Sequence, residues 1–217
     1  MRAWAEGAGR RATWPTPCLR LLLIRHGETL WNREGRYQGR TDVPLSTEGK
    51  AQAMALAEVL RAEPIAAVYT SPLRRAYDTA ACIAAVHGLH PWSDPRLMEI
   101  HQGEWEGLRP VEIERAWPEL YRRWLTEPET VRLPGGETLG EVQARVLAAV
   151  TDIAARWAGR TICIVAHKVS LAVIRAAARG LPLRDVLAYM PPNASVEAVT
   201  WPADCTLGAR PEEGPAR

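Results

Sequence analysis

The chain has 217 residues, 47% hydrophobic and 24% charged, with a formal net charge of +2. That length supports one sizeable core with room for a cap, and the composition is that of a folded globular chain. The charge balance argues against a nucleic-acid partner, which calls for a concentrated basic face. No stretch approaches the roughly 18 apolar residues of a membrane helix.

Residues 1–17 carry Arg2, Arg10 and Arg11 but no apolar segment of signal-peptide length; they read as a flexible extension. Cys18, Cys82, Cys163 and Cys205 lie far apart with no C-x-x-C pair, which fits a reducing, cytoplasmic setting. The first element is a strand over Leu19–Arg25. Its apolar run stops at Arg25-His26 and Gly27 follows at once, so a buried strand delivers a guanidinium and an imidazole to its carboxyl end, on a turn that needs glycine. A polar loop covers His26–Pro44. Ser46 or Thr47 caps a helix that runs to about Arg61, with Ala53, Leu56, Ala57 and Leu60 on one face. A second strand over Ile65–Tyr69 leads into a helix over Leu73–His87, stopped by Gly88.

Pro91–Leu97 holds a short edge strand. Residues 99–136 form an irregular insertion over the active face, with a Trp-rich helix near Val111–Leu125 that Pro118 breaks or bends. A long helix covers Thr138–Trp157, and a strand over Thr161–Ala166 ends, like the first, on a histidine, His167. A helix over Val169–Ala178, a short helix over 183–189 and a strand over Ser195–Trp201 complete the domain, with a flexible tail over 203–217. Alternating strands and helices predict one α/β domain over 18–202.

In such a sheet, ligands bind outside the carboxyl ends of the strands. A histidine and an arginine together there suit a phosphate, one as nucleophile and the other as a forked clamp. Ser71-Pro72-Leu73-Arg74-Arg75 puts two arginines in the first turn of a helix, where the dipole disfavours them unless an anion is present. In the loop Glu99–Gly107, Glu99 is flanked by Met98 and Ile100 and is the best-shielded carboxyl for proton donation, whereas Glu104 and Glu106 read as solvated. His87, His90 and His101 read as surface or loop residues. No set of His, Asp and Cys has metal-ligand spacing, so no metal and no cofactor is expected.

Five segments together resemble the histidine phosphatase superfamily, the phosphoglycerate mutase-like clan. They are Arg25-His26-Gly27-Glu28-Thr29 with Gly35-Arg36-Tyr37-Gln38-Gly39, Ser71 through Ala80, Glu99 through Gly107, Pro134-Gly135-Gly136-Glu137-Thr138, and the strand to His167. The resemblance implies a three-layer sandwich with a mostly parallel central sheet flanked by helices. It implies a metal-independent phosphomonoesterase that works through a phosphohistidine on a small-molecule phosphate ester. His26 would be the nucleophile. Arg25, Arg75 and His167 would hold the phosphoryl oxygens, and Glu99 would serve as acid and then base. Asn32 would add a phosphate contact, Gln38 and Gly39 would touch substrate, and Arg74 would face outward. Where the family usually has glycine after the second histidine, this chain has Lys168; pointing inward, it would favour a substrate with a second anionic group. The insertion, with Trp105, Trp117, Tyr121, Arg122, Arg123 and Trp124, is expected to set substrate choice. Mutase-type phosphoryl transfer and a non-catalytic phosphate-binding module remain as alternatives, and a homodimer is left open.

Overall fold

A computed structural model describes residues 18–202; the expected extension over 1–17 and tail over 203–217 lie outside the described residues. Five strands form one sheet: β1 (Leu19–Arg25), β2 (Ile65–Thr70), β3 (Pro91–Ser93), β4 (Thr161–Ala166) and β5 (Val196–Trp201). Their order is β3-β2-β4-β1-β5, with every neighbouring pair parallel except β1 and β5. The α-helices are α1 (Leu30–Arg33), α2 (Thr47–Leu60), α3 (Arg74–Val86), α4 (Pro110–Ala116), α5 (Pro118–Thr126), α6 (Leu139–Arg156) and α7 (Lys168–Ala178).

The period-two geometry of a strand explains the layering. Leu19, Leu21 and Leu23 of β1, with Ile162, Ile164 and Ala166 of β4, face one side, against Val142, Val146 and Val150 of α6 and Leu171 and Ile174 of α7. Leu22 and Ile24, with Cys163 and Val165, face the other, against Leu56 and Leu60 of α2 and Ala76, Ala80 and Ile83 of α3. Strands buried on both faces read as unbroken apolar runs, as these do. The result is the expected three-layer α/β sandwich. The insertion joins the first layer through Trp105, which is fully buried against Tyr37, Trp117, Tyr121 and Trp124. Truncating such a tryptophan to alanine costs about 3–5 kcal/mol.

Several elements differ from their sequence expectation. The loop after β1 contains α1, held by a reciprocal cap: Asn32 N–H donates to the Thr29 hydroxyl, and Thr29 N–H donates to Asn32 Oδ1, each at 3.1 Å. The edge strand expected over Pro91–Leu97 is three residues long, then gives way to a 3-10 turn over Pro95–Leu97 that Asp94 caps. Pro118 does break the Trp-rich helix, standing in the first turn of α5. Cys82 and Cys163 are free thiols, whereas Cys18 is disulfide-bonded, which departs from a cysteine usage read as that of a reducing setting.

Candidate active site

Strand register brings the two histidines together. Ile24 lies opposite Val165 and Arg25 opposite Ala166, so His26 and His167 leave adjacent parallel strands side by side. Their ring centroids are 5.2 Å apart. Above them opens a cavity of about 400 Å³ lined by Arg25, His26, Asn32, Gln38, Gly39, Arg75, Glu99 and Lys168. Of the residues expected to act on or touch the phosphate, His167 alone is not in the wall; it is fully buried beside His26.

His26 Nδ1 is 2.7 Å from the Gly27 carbonyl. A carbonyl only accepts, so Nδ1 carries the proton and Nε2 keeps its lone pair. Burial, then Arg75 and Arg25, holds the imidazole well below the usual histidine range. The Gly27 N–H donates to the Thr79 hydroxyl, which donates to the Arg75 carbonyl. A Cβ on Gly27 would sit 2.3 Å from the carbonyl oxygen of Gly49 in α2. Glycine is needed there for close approach of a helix, not for the turn itself.

Two guanidiniums flank the histidines. Arg25 donates from Nη1 to the Pro191 carbonyl at 2.8 Å, and Arg75 from Nη1 and Nη2 to the carbonyls of Thr41 and Gly39, both at 2.8 Å. Burial brings each down to about 10. Arg25 Nε, Arg75 Nε and both ring nitrogens of His167 are buried without a hydrogen-bond partner. Each unsatisfied group of this kind costs about 1–3 kcal/mol, and the two Nε–H donors with the single N–H of a neutral His167 make a receptor for an oxyanion. Arg74 is exposed, as expected, but its N–H donates to Asp42 at 2.7 Å. The anion that suits the N-terminus of α3 is thus present as a carboxylate of the chain itself at its first N–H.

Glu99 is 6% exposed. Its carboxylate accepts from the N–H groups of Ile100 at 2.9 Å, Val169 at 3.1 Å and Ser170 at 3.2 Å. The amino end of α7 holds it, rather than the flanking apolar side chains. Glu104 is exposed, but Glu106 is not a solvated loop residue. It accepts from the N–H groups of Arg40, Thr41 and Gln102 and from the Thr41 hydroxyl. That pins the loop whose carbonyls carry Arg75. Gly39 has φ +49°, and a Cβ there would lie 2.1 Å from the Glu106 carboxylate.

Asn32 Oδ1 and Gln38 Oε1 both face the Thr29 hydroxyl, at 3.1 and 3.0 Å, which leaves their amide N–H groups for the cavity. Lys168 opens α7 at the cavity mouth; burial, then Arg25, lowers its pKa. Tyr37, Pro110, Trp124 and Met190 supply an apolar wall. Arg122 and Arg123 do not line the cavity: Arg122 pairs with Glu119 at 2.6 Å and Arg123 bonds Thr130. The expectation that they read substrate is therefore corrected. Asn193 escaped the sequence reading. Its Nδ2 donates to the carbonyls of His26 and Gly27 and to Asn32 Oδ1. Only tertiary pairing reveals it, because β5 starts opposite Ile24 and so brings its preceding loop to the carboxyl end of β1.

Among the described residues, no group of three or more His, Cys, Asp or Glu is placed to hold a metal ion, and no helix is long and apolar enough to cross a membrane.

A sheet with two strand-end histidines, two buried arginines and a carboxylate around one cavity is a phosphate-handling site, and comparison with known proteins gives the class. The chain belongs to the histidine phosphatase superfamily (branch 1), whose family model matches residues 21–208. It is 37% identical to phosphoserine phosphatase 1 of Hydrogenobacter thermophilus, over 83% of this chain and 86% of that protein. It is 33% identical to glucosyl-3-phosphoglycerate phosphatase of Mycobacterium tuberculosis, over 85% and 92% of the two chains. Among solved structures, Bacillus stearothermophilus YhfR matches with a TM-score of 0.77 at 38% identity, covering 83% of this chain and 90% of that one. The protein is a phosphoric monoester hydrolase acting on small phosphate esters.

Proposed function

We propose that hydrolysis proceeds by metal-independent double displacement at His26. Nε2 of His26 attacks phosphorus while the bond to the ester oxygen breaks, and a proton carried by Glu99 passes to that oxygen. Glu99 then takes a proton from water as the water attacks phosphorus, and the P–N electron pair returns to the imidazole. Arg25, Arg75 and His167 hold the equatorial oxygens, where charge spreads in a loose transition state. The observation that carries this reading is the Nδ1–H bond to Gly27, which makes Nε2 the free nitrogen beside Arg25 and Arg75.

The substrate class is an ester with a carboxylate near its phosphate. The two relatives above are named for phosphoserine and glucosyl-3-phosphoglycerate, both of which carry one. Lys168 at the mouth is suited to that second anion, and Tyr37, Trp124 and Met190 to the carbon body. A panel of phosphoserine, 3-phosphoglycerate, glycerol phosphate and nitrophenyl phosphate tests both parts. Rapid quench with labelled substrate should trap an acid-labile, base-stable phosphoenzyme, and turnover should survive EDTA. Lys168→Met should raise KM about tenfold for the carboxylated esters, equivalent to ~1.4 kcal/mol, and leave glycerol phosphate within about twofold. Label on serine, loss of activity on chelation, or no turnover of any ester would overturn the mechanism; equal KM changes across the panel would overturn the substrate class.

A further inference from the structure

Arg145 projects from α6 with its side chain 16% exposed. Its Nε and Nη2 donate to the two oxygens of Glu137, at 3.0 and 2.9 Å. Its Nη1 donates to the carbonyls of Arg96 and Met98, both at 2.7 Å, and its Nη2 also donates to the carbonyl of Glu99 at 3.0 Å. One guanidinium thus spends its five N–H groups on a bidentate carboxylate and on three carbonyls of the segment that ends in Glu99. Glu137 is itself anchored by Arg40 Nη2 at 2.7 Å and His101 N–H at 2.9 Å. Neither Arg145 nor Glu137 lines the cavity.

We propose that Arg145 is a positioning residue for Glu99, with Glu137 as its anchor. The fork fixes the main chain from which the Glu99 carboxyl reaches both the amides of α7 and the leaving oxygen. Lysine at 145 keeps the charge but not the fork, because an ammonium has no planar set of donors to share among five acceptors. A misplacement of about 1 Å at a proton-transfer group is enough to cost on the order of a hundredfold.

The proposal rests on the acid role of Glu99 given above, and the test separates the two. The full chain carrying Arg145→Lys, Glu137→Gln, Glu99→Gln or the Arg145→Lys/Glu99→Gln pair is assayed on two esters. Nitrophenyl phosphate expels a leaving group that needs no proton; glycerol phosphate expels one that does. Arg145→Lys should lower kcat on glycerol phosphate roughly 10- to 100-fold and on nitrophenyl phosphate by no more than about threefold. Glu137→Gln should show the same selectivity with a smaller loss, roughly 5- to 10-fold on glycerol phosphate and less than about twofold on nitrophenyl phosphate, and it carries the comparison if Arg145→Lys does not fold. In the Glu99→Gln background, Arg145→Lys should add almost nothing on glycerol phosphate, since residues acting as one unit are not additive. Equal losses on both esters, or full additivity with Glu99→Gln, would overturn the positioning role while leaving the acid in place. Equal losses from Glu99→Gln itself would remove the acid role and this inference with it.

Discussion

His26 and His167 occupy equivalent places, each the first residue beyond a buried parallel strand, yet their surroundings differ at both ring nitrogens. His26 has one nitrogen committed to the Gly27 carbonyl, within its own turn. His167 has neither nitrogen committed. Burial and the same two arginines push both imidazoles well below the usual range, so charge does not tell them apart. A main-chain oxygen does, by fixing one tautomer and leaving the other ring free to donate. One hydrogen bond thus separates the two rings, and the proposed mechanism assigns the nucleophile to the one and an oxyanion donor to the other.

Exchanging roles by mutation gives the sharpest test of that difference. His26→Ala should lower turnover by at least about 10⁴-fold and abolish the trapped phosphoenzyme, because no other group forms the P–N bond. His167→Ala should cost roughly 10²–10³-fold, the usual loss for one oxyanion donor, and still yield phosphoenzyme, with phosphorus NMR placing the phosphoryl group on Nε2. Phosphoenzyme in His26→Ala but not in His167→Ala would reverse the assignment.

A smaller effect is expected where Asn193 ties down the turn that holds His26. Asn193→Ala removes the donor to the His26 and Gly27 carbonyls and should lower kcat about tenfold, ~1.4 kcal/mol at the transition state, with KM nearly unchanged. A rise in KM at constant kcat would put Asn193 on the substrate instead.

Stability against pH gives the mildest contrast. Both histidines have folded pKa values below the ordinary 6.5, so below that pH the unfolded chain binds more protons than the folded one. Stability should be full above about pH 6.5 and fall as the pH drops from there toward the depressed folded values. Thermal melts between pH 7.5 and 5 should show the fall. His167→Gln should flatten it, and saturating phosphate should flatten it in the wild type, since a bound dianion favours the charged rings. A midpoint that rises on acidification would contradict the burial of neutral imidazoles.

The strand ends were legible because β1 and β4 announce themselves as apolar runs that stop at Arg25-His26 and His167. Their adjacency was not, since it depends on β4 entering the sheet between β2 and β1. Arg75 could be singled out from the strand-to-helix junction. The loop that aims it could not, because Glu106 acts through the amides of Arg40 and Thr41, more than 60 residues earlier in the chain. Glu99 was identifiable as the acid candidate, but its environment comes from the first turn of α7. The charges of Arg122 and Arg123 misled for a simple reason: Arg122 is satisfied by Glu119 one turn earlier on the same helix, which leaves it nothing to offer the cavity. Local chemistry was readable, and contacts between distant loops were not.

The meeting of Gly27 with α2 has a reciprocal side. A Cβ on Gly27 would strike the carbonyl of Gly49, and a Cβ on Gly49 would come within 2.0 Å of the Glu28 carbonyl. Each glycine therefore leaves room for main chain next to the other, and a larger residue at either one would wedge the helix away from the turn that carries His26. The spacing of helix and turn is therefore set by main chain on both sides, with no flexible side chain there that could yield to a substitution.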